Sequence, residues 1–215
     1  MWLSLPTFIS SLCLCVSVVQ MTCAIVLAAG KSQRMGTQKL LLPYAGHTMI
    51  ARVTDAFLFA PVDLVYVVVP PGTLTIRTAL AGRAVTFVEN PDPAGDMLSS
   101  VRCGIRALPA QTDIILVSPG DQPALKSTLV RDMLEAFRRT GSKILVPIHN
   151  GRRGHPLAFR SEFRQQILTR FDGTGLRSLL LAHAPDVTEW ETTDSAVLQD
   201  LDTPADLQSF KLIPP

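Results

Sequence analysis

Lys31, Arg34 and Lys39 stand close together in a short segment that also carries Gly30 and Gly36. Cations beside glycines, where the backbone can approach a ligand closely, have the chemistry of a polyphosphate site. Any one of these side chains alone reads as a solvated surface cation. Three in one strand-to-loop segment shift the balance toward phosphate. Gly30-Lys31-Ser32 imitates part of a P-loop, but that motif needs a glycine five residues before Gly30, where Ile25 stands. The glycine spacing of a dinucleotide fingerprint is also missing.

A polyphosphate held by cations usually brings a divalent hard cation, and Mg²⁺ favours one or two carboxylates plus substrate oxygens. Asp121, in Pro119-Gly-Asp-Gln-Pro123 just past an apolar run, is the best first ligand, and Asp202 is the natural second, with Asp200 and Asp206 as competitors. The structural alternatives are a turn aspartate for Asp121 and a helix cap for Asp202. Between Asn90 and Gly104 a loop enters a helix whose first amides, with Ser99 and Ser100, offer a polar edge to a ligand. The alternative there is a capped helix. His155, before a proline, is a base or ligand candidate or simply structural, and without a second His or Cys at metal spacing it does not point to zinc.

The elements that must position these residues alternate along the chain. Apolar strands are expected at Cys23–Leu27, Leu64–Val69, Ala84–Val88, Asp113–Ser118 and Lys143–Ile148, with Val187–Trp190 falling in a less regular last third. Helices are expected over His47–Ala60, Thr73–Ala81, Met97–Leu108, Leu125–Arg139 ending at Gly141, Glu162–Thr169, and from the Asp172–Gly175 turn to about Ala182. The segment from Ser195 reads as a strand stopping at Asp202, followed by a helix that Thr203 caps with Pro204 at its first position. Continuous β-branched strands between helices imply a parallel sheet covered on both faces. In such sheets ligands lie beyond the carboxyl ends of the strands, where Gly30, Asp121 and the Arg152-Arg153 loop all fall.

The 215-residue chain, 47% hydrophobic and 18% charged, has the size and composition of one globular domain. A net charge of +2, with its cations in loops, argues for local anion binding and against a nucleic-acid surface. Cys13, Cys15, Cys23 and Cys103 lack metal-site spacing and read as reduced thiols of a cytoplasmic protein. The first stretch, residues 1–20, is an apolar leader without Lys or Arg, which fits neither a signal peptide nor a membrane span. The natural chain is therefore expected to start at Met21.

The residues resemble the nucleotidyltransferases of the molybdenum cofactor type, in their cytidylyltransferase branch. The family's opening signature, Leu-Ala-Ala-Gly-x-Ser-x-Arg-Met-Gly-x-x-Lys, runs unbroken from Leu27 to Lys39. The likeness extends through Ser99-Ser100-x-Arg102-x-Gly104, Gly120-Asp-Gln-Pro123, Gly151-Arg-Arg-Gly-His-Pro156, Gly173-Thr-Gly175 and Asp202-Thr-Pro-x-Asp206. The resemblance implies a three-layer, Rossmann-like nucleotide-diphospho-sugar transferase fold over residues 21–215, mostly parallel, with helices on both faces. It implies transfer of CMP from CTP to the phosphate of molybdopterin-bound molybdenum cofactor, the alternatives being guanylyl or adenylyl transfer to a pterin or sugar phosphate on the same fold and a non-catalytic cofactor-delivery protein. Leu27, Ala28, Ala29, Gly30, Ser99, Ser100 and Arg102 would line the nucleotide, with Arg34 and Lys39 on its phosphates. Asp121 and Asp202 would hold Mg²⁺, and Arg153, Gly154 and His155 would face the acceptor. Ala29, where the guanylyltransferase branch has glycine, points to cytosine. A molybdenum hydroxylase or its maturation factor is the implied protein partner, and neither nucleic acid nor membrane is expected.

Overall fold

The computed structural model describes residues 20–30, 39–92 and 95–201. Strand β1 (Met21–Leu27) is followed by a 3₁₀ turn at Lys39–Leu41, the hairpin β2 (Pro43–Tyr44) and β3 (His47–Thr48), and helix α1 (Met49–Leu58). Next come β4 (Leu64–Val69), α2 (Leu74–Ala79), β5 (Val85–Glu89), α3 (Met97–Ala107), β6 (Thr112–Pro119) and α4 (Ser127–Thr140). The remainder is β7 (Ile144–His149), β8 (Arg152–Arg153), β9 (Leu157–Arg160), α5 (Arg164–Thr169), α6 (Leu176–Ala182), β10 (Val187–Glu191) and a 3₁₀ turn at Ser195–Leu198.

The main sheet has the order β10-β7-β9-β6-β1-β4-β5, with β8 paired to β7. Strands β5, β4, β1 and β6 run parallel, as do β7 and β10, while β9 lies antiparallel between β6 and β7. The unbroken apolar strands have a simple cause. In β1, Ala24 and Val26 face one layer with Ile50, Val53 and Phe57 of α1 and Met133 and Phe137 of α4. Cys23 and Ile25 face the other, against Val101 and Ile105 of α3, Ile167 of α5 and Leu179 of α6. Both faces are dry, and each fully buried large aliphatic or aromatic side chain contributes about 1.5–3 kcal/mol. Helix α3 packs tightly on β1, since a Cβ on Gly104 would stand 2.6 Å from Ile25 Cγ2.

The three-layer, mostly parallel arrangement matches the sequence expectation. Helix α1 starts later than periodicity predicts because Thr48 caps it, its Oγ1 accepting from the Ala51 amide. Helix α4 ends where predicted, with Gly141 in the left-handed region at φ 65°. Strand β9 was not anticipated. The expected strand from Ser195 is corrected as well, since 195–198 form a 3₁₀ turn and no strand follows to Leu201. Asp194 Oδ1 caps the Ala196 amide there and favours a tight turn over a ladder. Lys31, Arg34, Asp202, Asp206, the helix after Thr203 and the leader through Val19 lie outside the described residues.

Candidate active site

The chain runs outward from β1 to β4 and β5, then returns to place β6 on the other side of β1. The carboxyl ends of β1 and β6 thus flank the point where strand order reverses, the usual crevice for a ligand. Glycine makes the two ends meet. The Gly120 amide donates to Leu27 O at 2.9 Å, and a Cβ on Gly120 would lie 2.8 Å from that oxygen. The Ala28 amide is likewise spent, on Val68 O at 2.8 Å. Leu27 and Ala28 therefore fix the exit of β1. Gly30 is exposed, with nothing within 4 Å of where a Cβ would stand.

Across this crevice Lys39 Nζ reaches Asp121 Oδ2 at 2.8 Å, and Lys39 is only 7% exposed. A surface-cation reading of Lys39 is excluded, because an ammonium is not desolvated to that degree without a partner. The Asp121 carbonyl accepts from the Leu201 amide, while Oδ1 of its carboxylate is buried and meets no hydrogen-bond partner. An ionised oxygen left so is costly unless something positive binds it. Among the described residues no three His, Cys, Asp or Glu side chains form a metal cluster. One carboxylate with a vacant lone pair is nevertheless what Mg²⁺ uses beside phosphate oxygens, so the donor set suits the expected metal.

Beside Asp121 lies a second group of polar residues. Gln122 is 1% exposed, and its Nε2 donates to Asp200 Oδ1 at 2.7 Å and to Val197 O at 3.4 Å. The same Val197 carbonyl accepts from the His155 amide at 2.9 Å. His155 arrives there because Asn150 and Gly151, at φ 50° and 72°, form the two-residue turn that folds β8 back on β7. Gly154 then passes so close to the Val197 backbone that a Cβ would collide with its carbonyl oxygen. Burial pushes the His155 imidazole below its ordinary pKa, with the charges of Asp200 and Asp121 pulling the other way.

The other expected residues make contacts of their own. Asn90 Nδ2 donates to Ser99 Oγ at 2.7 Å and to Ser100 Oγ at 3.0 Å, tying the end of β5 to α3. Asp96 Oδ1 already accepts from the Ser99 amide, so α3 is capped from within. Arg102 turns to α5 and the segment after it: Nε donates to Ile167 O, one terminal nitrogen to Arg170 O, and the other pairs with Asp172. Arg153 is held by Glu189 of β10, both guanidinium contacts falling on one carboxylate oxygen. Gln122 lies in the Gly120–Pro123 motif without a chemical signal of its own, whereas the Asn150-Gly151 pair that delivers His155 is a readable turn signal. No described helix is long and apolar enough to cross a membrane.

Residues 24–187 match the MobA-like NTP transferase domain. Molybdenum cofactor cytidylyltransferase of Escherichia coli (strain K12) is 30% identical over 188 residues, covering 87% of this chain and 94% of that protein. A nucleotidyl transferase from Methanothermobacter thermautotroptrophicus is 28% identical and superposes with a TM-score of 0.75, over 88% of this chain and 95% of that one. Rv0371c from Mycobacterium tuberculosis H37Rv, solved in complex with manganese, shares the fold at 22% identity and a TM-score of 0.76, over 90% of this chain and 100% of that one. With a cation–carboxylate pair at the switch point and this likeness across nearly its whole length, the chain belongs to the MobA-like NTP transferase family and is a nucleotidyltransferase.

Proposed function

We propose that this protein transfers CMP from CTP to the terminal phosphate of molybdopterin-bound molybdenum cofactor and releases pyrophosphate. The observation that carries the reading is Asp121: one oxygen is paired with Lys39 and the other is buried and unpartnered, at the crevice between β1 and β6. The relationship to the E. coli cytidylyltransferase and the alanine at Ala29 support cytosine over guanine.

In this reaction an acceptor phosphate oxygen attacks the α-phosphorus of CTP as the bond to the β-phosphate bridging oxygen breaks. The acceptor is already ionised, so no strong general base is needed. Positioning and charge neutralisation carry the step. Asp121, with Asp202 as the candidate partner, would hold Mg²⁺, which supplies Lewis-acid charge stabilisation on phosphate oxygens when bound. Lys39 fixes the Asp121 carboxylate and places positive charge between the two strand ends, and Arg34 is assigned to the departing pyrophosphate. Leu27 to Gly30 shape the nucleotide side, with Ser99, Ser100 and Arg102 bordering it. Arg153, Gly154 and His155 shape the acceptor side.

The test is pyrophosphate release with molybdenum cofactor and Mg²⁺, comparing CTP, GTP and ATP. Cofactor-dependent release with CTP alone is the expected result. Release with GTP alone overturns the cytidylyl reading, and nucleotide binding without turnover makes the protein a carrier of the cofactor.

A further inference from the structure

Among the described residues four buried side-chain atoms lack a hydrogen-bond partner, and three of them belong to Asp121, Gln122 and His155. Their backbones and side chains are knotted together. Val197 O receives both Gln122 Nε2 and the His155 amide, Asp200 receives Gln122 Nε2, and the charges of Asp200 and Asp121 both act on His155. The orientation of the Gln122 amide is determined by its neighbours. Asp200 Oδ1 and Val197 O are both acceptors, so Nε2 must face them, and a flipped amide would set oxygen against oxygen. Gln122 Oε1 is thereby directed away from them, 1% exposed as a residue and without a donor.

Buried polar atoms are not normally left without a partner, and three on residues tied together through Val197 and Asp200 call for bound water or an ion to complete them, with His155 Nδ1 an acceptor when its proton sits on Nε2. The geometry points to Gln122 and His155 as positioning residues that take hydrogen bonds, at Oε1 and Nδ1, from waters kept by the divalent cation that Asp121 holds. This rests on the reading of Asp121 given above. A cation with so few protein carboxylates retains several waters, each with two protons that need acceptors, and losing such an outer partner typically weakens a metal site by about tenfold to a hundredfold.

The probe is Mn²⁺ alone, titrated into the full chain without nucleotide and followed by electron paramagnetic resonance. Asp121→Asn should lose Mn²⁺. Gln122→Leu and His155→Phe should each weaken it by about tenfold to a hundredfold. His155→Asn, which keeps a polar atom near the Nδ1 position, should recover most of the affinity, a rescue that a purely structural role would not give. If Asp121→Asn binds like the parent, the reading of Asp121 and this inference both fall. If Asp121→Asn loses the metal while folded His155→Phe and Gln122→Leu bind like the parent, only this inference falls. Should Gln122→Leu fail to fold, the contrast between His155→Phe and His155→Asn decides.

Discussion

Lys39 Nζ and Asp121 Oδ2 stand 2.8 Å apart, joining the segment after β1 to the end of β6 across the point where strand order reverses. The side chain of Lys39 is 8% exposed and that of Asp121 24%, so each charge depends on the other. Under the proposed function the pair would couple stability to chemistry, so a change to either member should report on both.

Lys39→Ala should therefore do more than slow the reaction. It strands a half-buried carboxylate, and the expected loss is about 3 kcal/mol, the lower end for breaking a buried pair because Asp121 keeps some solvent. A urea titration at neutral pH measures it. Turnover at saturating nucleotide should fall by about a hundredfold or more.

Asp121→Asn and Asp121→Ala should separate the two roles. The asparagine oxygen can still accept from Lys39, whereas alanine leaves that ammonium buried without its carboxylate. Both variants should lose pyrophosphate release. The thermal midpoint, read by calorimetry, should be lower for alanine than for asparagine, and equal midpoints would mean that the pair contributes nothing to the fold.

Gly154→Ala should loosen the packing of the Gly154–His155 segment on Val197. The new methyl group meets the Val197 backbone, which cannot swing aside as a flexible side chain would. Overpacking of this kind costs about 1–3 kcal/mol. Hydrogen exchange should show lost protection of the His155 amide, whose acceptor is Val197 O.

Acid should destabilise the protein through His155. Its folded pKa lies below the ordinary histidine value, so at slightly alkaline pH it is neutral in both states and contributes nothing. As pH falls below about 6.5, the unfolded chain takes a proton that the folded chain refuses, and the unfolding free energy drops until the folded value is reached. The parent should thus lose more stability than His155→Asn between about pH 7.5 and 5.5. Urea midpoints at both pH values provide the check.

Arg102→Ala should be felt in α5 and the segment after it. Its guanidinium serves the carbonyls of Ile167 and Arg170, and losing those contacts should raise amide exchange from Arg170 to Gly175. Unchanged protection there would leave these contacts without a structural role.

Much of the fold was legible because each long strand is apolar on both sides and each helix carries one apolar face. Leu64–Val69 of β4 was read to the residue. Strand β9 escaped because Leu157–Arg160 is short and follows a proline, and its antiparallel place between β6 and β7 is set by tertiary pairing. The 195–198 segment looked like a strand for its Ala-Val-Leu run, but Asp194 turns it into a cap. At the site, Lys39 and Asp121 were named from residue type and position, yet nothing local says that they touch, since 82 residues separate them. Gln122 was passed over because an uncharged amide has no intrinsic signal, and its importance comes from burial and a missing partner.

The Val197 carbonyl, shared by Gln122 and His155, carries a consequence for how the molecule is made. A chain emerging from the ribosome can pair β1, β4, β5 and β6 as soon as Pro119 is free, which sets both strand ends of the crevice. It cannot orient Gln122 or seat His155 until the turn at Ser195–Leu198 has emerged. The surroundings of Gln122 and His155 are thus completed late in synthesis, after the sheet is laid down, and a half-made chain displays the ends of β1 and β6 before the Val197 side of the crevice exists.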